Sequence, residues 1–231
     1  MKINFILIFL SFVAFLSCKK REINATLNIS VELENKNSKE YADLTYLKIY
    51  KNDTIFKEII ADDLPFIQHS IKLTNLKEGK YKFEFINIFE QKVVKELIID
   101  ENKIYKILIN PDYSDYQENL AKSLIGNLKE NENIKLSYKS QGCFHQKKDC
   151  VIIYKKNKYF EIERNGLLTK LNDNEVDNLI KMECELNNIK EGGCTTADIY
   201  TFYKSNLKKE FIDDTCKWNG WENLMVNMKW K

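Results

Sequence analysis

Proline is nearly missing from this chain, with Pro65 and Pro111 the only two, so no proline-rich linker separates its parts. Charge of one sign is missing too: 36 Lys and Arg stand against 34 Asp and Glu, a formal net charge of +2, with the signs interspersed. That balance excludes the basic footprint of a nucleic-acid-binding protein. No Cys-x2-Cys pair occurs, which removes the commonest zinc-site spacing. The apolar stretch at Phe5 to Leu16, broken by Ser11, would make only ~18 Å of helix against a hydrocarbon core of ~30 Å, so it is too short to span a bilayer.

What is present at that end has the build of a secretory signal: Lys2, the short apolar run, then the small Ser17 before Cys18. Phe15-Leu16-Ser17-Cys18 resembles a bacterial lipobox, with Phe15 where that family usually has Leu. The resemblance implies that residues 1–17 are removed, that the Cys18 thiol is acylated, and that residues 18–23 are a lipidated tether to the membrane. Multiple acyl chains anchor stably where a single one does not. Lys19-Lys20-Arg21 follows Cys18, with neither an acidic export cluster nor an Asp at position 19. By resemblance to sorting signals this implies the periplasmic face of the outer membrane.

The rest of the chain, 44% apolar, is long enough for two domains with cores of their own. From Ala25, Leu27, Ile29, Val31 and Leu33 alternate with polar residues, the period of a half-buried strand. Similar runs at 44–50, 55–60, 67–73, 81–88, 93–99 and 104–109, with turn signals at Asn52-Asp53 and Glu101-Asn102, predict an antiparallel all-β sandwich over 24–111. Leu73-x-x-Leu76-x-x-Gly79-x-Tyr81 resembles a stretch of prealbumin-like and carboxypeptidase-regulatory-like domains, which are Ig-like sandwiches. The resemblance implies a positive φ at Gly79, a tyrosine corner at Tyr81, and a spacer or binding module without catalytic residues. His69 reads as an ordinary solvated histidine on a strand surface.

Asn110-Pro111-Asp112 closes that unit, and 112–231 reads as an α+β domain with an antiparallel sheet. Tyr116, Leu120, Leu124 and Leu128 predict a helix over 114–129; strands follow at 134–139, 151–156 and 159–164. A capped helix opens at Asn172 to Glu175, a hairpin spans 199–213, and a terminal helix carries Trp221, Leu224, Met225 and Met228. Gly142-Cys143-Phe144-His145, Cys194-Thr195-Thr196 and Asp213 to Gly220 resemble signatures of an uncharacterised class of small secreted bacterial lipoproteins, which implies fold and location only.

Of six cysteines, Cys18 goes to lipid, and an oxidising compartment favours disulfides among the other five. A hairpin turning near Ser205-Asn206 brings Cys194 close to Cys216, the favoured pair. Cys143 with Cys150, across the tip of the preceding hairpin, is the second, which leaves Cys184 as the odd thiol. Two sharper readings compete. Cys143, His145 and Cys150 with Cys184, Cys194 or Cys216 would hold Zn²⁺; Cys143 and His145 alone would pair thiolate with base in an enzyme. Asp213-Asp214 reads as turn and capping rather than as paired carboxylates. Trp218, Trp221 and Trp230 read as core rather than as a sugar-binding or partner-binding surface. The sequence reading is therefore a non-enzymatic, cofactor-free binding, inhibitor or scaffold module, held to the membrane by Cys18, with a protein or glycan partner in the envelope. A Cys143/His145 enzyme or zinc protein is the alternative.

Overall fold

A computed structural model describes residues 22–35, 42, 44–61, 67 and 70–229. Cys18, His69 and Trp230 lie outside those residues. Among the described residues the fold is mostly β-strand, in three sheets whose ladders are antiparallel with one exception.

Strand β1 (Ala25–Val31) turns Ala25, Leu27, Ile29 and Val31 inward, as its alternation demands. It sits between β4 (Ile71–Leu76) and β7 (Ile104–Ile109). Four antiparallel strands form the second sheet in the order β3 (Thr54–Ile60), β2 (Tyr46–Lys51), β5 (Gly79–Ile86), β6 (Lys92–Ile99). Both sheets bury their inner faces in one core that includes Leu27, Ile29, Leu47, Ile49, Phe83 and Phe85. The exception is β1 with β7, which pair in parallel, so the wholly antiparallel expectation is corrected. A parallel pair needs a long crossover, and here every other strand of the sandwich lies between the two. Gly79 has φ +149° and the Tyr81 hydroxyl donates to the Lys77 carbonyl at 2.9 Å, the corner bond expected there.

The third sheet has six antiparallel strands in the order β11 (Leu167–Leu171), β10 (Tyr159–Arg164), β9 (His145–Lys156), β8 (Asn133–Gly142), β12 (Ala197–Lys204), β13 (Leu207–Asp213). Helices α2 (Asp173–Leu186) and α3 (Gly220–Asn227) cover one face. α2 begins in the expected capping box: Asn172 accepts from the Glu175 amide, and the Glu175 carboxylate accepts from the Asn172 amide. Trp218 and Trp221 are core, and Trp221 stacks on Tyr138 at 4.7 Å.

The helix expected over 114–129 is reduced to α1 (Gln117–Leu120) followed by turns. The cause is Glu183 on α2. Its buried carboxylate accepts the amides of Leu124 and Ile125 and the Ser123 hydroxyl, at 2.6, 3.0 and 2.6 Å. Those amides are drawn away from helical carbonyls, and Asn127 adds side-chain bonds to the Ala121 and Ser123 carbonyls.

The two cores are keyed together. Phe89, at the β5–β6 turn, is 1% exposed and belongs to the core of the six-stranded sheet. Its turn is held by Asn87, which accepts from the Phe89 and Gln91 amides and donates to the Tyr113 carbonyl.

Candidate functional site

Where the cores meet lies a cavity of about 490 Å³. One wall comes from the sandwich side, through Leu33, Asn35, Ile86 and Pro111; the opposite wall is α2, the loop before α3, and α3 itself. The volume is ordinary for a small-ligand or peptide pocket.

The loop wall is fixed by local chemistry. Asp214 accepts the Gly192 and Gly193 amides at 2.8 and 3.1 Å, and its carbonyl accepts the Cys194 amide at 2.8 Å. Gly192 is required there, because a Cβ would lie 2.3 Å from the Thr215 Cα. The disulfide Cys194–Cys216, with Cα atoms 6.0 Å apart, closes the same clasp. Asp213 accepts from the Thr215 amide and hydroxyl at 2.9 and 2.6 Å, so both aspartates are turn and capping groups. Next along, Trp218 lies against Gly220, where a Cβ would meet the ring at 2.1 Å. The loop thus meets α3 with no freedom to spread.

Glu185 of α2 lines the cavity and is 9% exposed. Burial raises its carboxyl to about 7, and the charges of Asp112 and Glu34 push the same way. Against them work the Lys181 ammonium at 3.8 Å and the Trp218 indole N–H at 3.1 Å. Lys181 is shared with Glu34, to which it is also ion-paired. Asp112 accepts the Glu34 and Asn35 amides at 2.7 and 3.2 Å, and burial raises its carboxyl despite those bonds. The cavity therefore has an acid that is half-protonated near neutrality.

Amides dominate the remaining polar lining: Asn178 on α2, Asn219 just before α3, and Asn223 and Asn227 on α3. Sequence reasoning missed Glu185 and this ladder. The signal for the ladder was its i, i+4, i+8 spacing. Glu185 gave none, since it breaks the apolar pitch of its helix.

The cysteine constellations fare differently. Cys143 and Cys150 are free, which corrects their pairing. The hairpin is tighter than the reading allowed: Gly142 faces His145 across a turn of Cys143-Phe144, and Cys150 pairs with Ser137 farther along β9. At ~3.4 Å per residue Cys150 lies ~17 Å beyond His145, far outside bridging reach. His145 Nε2 is 2.9 Å from the Ser140 hydroxyl, while Cys143 sits exposed on the turn and does not share a strand face with it. Among the described residues no three His, Cys, Asp or Glu side chains gather as a metal site. Cys184 is buried on α2, and burial pushes its thiol up to about 11, which keeps it protonated. Among the described residues no helix is long and apolar enough to cross a membrane. Compared with family models and with curated proteins, the chain finds no match.

Proposed function

We propose that this chain is a lipid-anchored envelope protein that binds a protein or glycan partner, without catalysing a reaction, in the cavity between its two cores. On this reading residues 24–111 are an Ig-like sandwich domain and 112–231 an α+β domain, and the cavity is their shared binding site. The observation that carries it is the cavity's lining: half-buried amides beside Glu185 and Lys181, backed by a wall that the disulfide and Gly192 make rigid. A preformed pocket with a few fixed polar groups is what a binding site requires. The anchor rests on the lipobox residues ending in Cys18, at the periplasmic face of the outer membrane.

Two measurements test the reading. Cys18→Ser should leave the protein in the soluble fraction or unprocessed, and undiminished membrane association would remove the anchor. Asn223→Trp places a bulky ring on the cavity wall from a half-buried position. An envelope component that co-purifies with the unaltered chain should be lost with this variant while its thermal unfolding is unchanged; equal recovery would refute the cavity as binding site.

A further inference from the structure

The amide side chains of Asn178, Asn219 and Asn223 line the cavity, are half-buried, and have no hydrogen-bond partner in the protein among the described residues. Each has two N–H donors and an acceptor oxygen. Any occupant that expels water from the cavity must replace those bonds, or leave polar groups unpaired at a cost comparable to a lost hydrogen bond. The occupant therefore presents donors and acceptors side by side, at more than one place.

Its spacing is set by α3. Asn219 and Asn223 stand one turn apart, ~6 Å along the helix axis. A peptide in extended conformation turns the N–H and C=O of every second residue to the same side, at a repeat of ~6.6 Å. An asparagine amide meets the N–H and C=O of one such residue with one bond given and one accepted. Leu33 and Ile88, half-buried, and Ile86, exposed, also line the cavity and offer apolar surface for side chains.

Other chemistries fit less well. A sugar ring stacks its C–H face on an open aromatic ring, and Trp218 is only 6% exposed, closed in by Gly220 and by Tyr200 at 5.6 Å. An anion would meet the three carboxyl groups of Glu90, Asp112 and Glu185 against two lysines, Lys217 and a Lys181 already engaged by Glu34.

We infer that the cavity binds an extended polypeptide segment, recognised through its backbone by Asn178, Asn219 and Asn223. This rests on the cavity being the binding site. The test uses the full chain in detergent micelles, panned with a phage-displayed library of random 12-residue peptides and counter-selected on Asn223→Trp. The strongest enriched peptide is then synthesised and its Kd measured. Joint substitution Asn178→Ala and Asn223→Ala should weaken it at least tenfold, and N-methylation along the peptide should abolish binding at alternate residues and spare those between. Failure to enrich any peptide over Asn223→Trp overturns the inference, as does an N-methyl scan without alternation. Chitotriose is titrated in parallel. If it binds and Asn223→Trp abolishes that binding, the occupant is a glycan: the peptide inference falls and the cavity reading stands. If Asn223→Trp also leaves every co-purifying envelope component in place, both fall.

Discussion

Replacing Glu185 by Gln isolates the cost of one buried charge. The carboxyl sits at about 7 against an ordinary 4.5, so between those values the folded chain binds more protons than the unfolded one. Stability from this residue is therefore fully present below pH 4.5 and lost as pH rises through 7. At about 1.4 kcal/mol per pH unit the whole rise corresponds to about 3 kcal/mol at pH 8, and to under about 1 kcal/mol at pH 5. Glutamine keeps an oxygen to accept the Trp218 indole N–H and carries no charge. Urea unfolding followed by tryptophan fluorescence at pH 5 and pH 8 measures the difference directly. Glu185→Gln should be more stable than the unaltered chain by about 3 kcal/mol at pH 8, with the gap shrinking toward pH 5. Equal pH dependence in the two proteins, or a variant less stable at pH 8, would refute the claim that desolvation outweighs Lys181 and Trp218 here.

Cys216→Ser opens a loop of sequence separation 22 and should lower stability by about 3 kcal/mol; an unchanged urea midpoint would count against the clasp. Phe89→Ala removes a side chain of the sandwich segment from the other core and should cost about 3 to 5 kcal/mol. If the variant unfolds with the stability of the unaltered chain, the cores are not keyed at this point.

Much of the fold was legible because it rests on local periodicity. Strands β1, β5 and β6 alternate between inward and outward residues, and the hairpin turn at Ser205-Asn206 set which residues face each other, so Cys194 and Cys216 could be brought together from the sequence alone. Strand β11 was missed although Asn165-Gly166, both at positive φ, is among the strongest short hairpin signals. The 114–129 helix failed for a different reason. Its apolar stripe is real, with Ile125 and Leu128 in the core, but its amides are claimed by a carboxylate 58 residues away in sequence from Ile125, which no window of local pattern can see. The cavity was illegible on the same ground, since its lining joins residues from Leu33 to Asn227.

Helix α2 shows why buried carboxylates cannot be assigned from their helix alone. Glu183 and Glu185 are two residues apart, which on an α-helix turns them to different sides. Glu183 meets three donors, two of them backbone amides, and so serves as an anchor around which the 123–125 turn is wound. Glu185 meets one neutral donor and a lysine that it shares, with Asp112 and Glu34 pressing from the sandwich side. Donor supply, not burial, separates the two, because both side chains are buried. Because two of the charges acting on Glu185 come from the opposite wall, its proton affinity depends on the two cores being docked. The carboxylate at the cavity is thus tied to the junction that forms the cavity, while the one two residues earlier is tied only to its own unit.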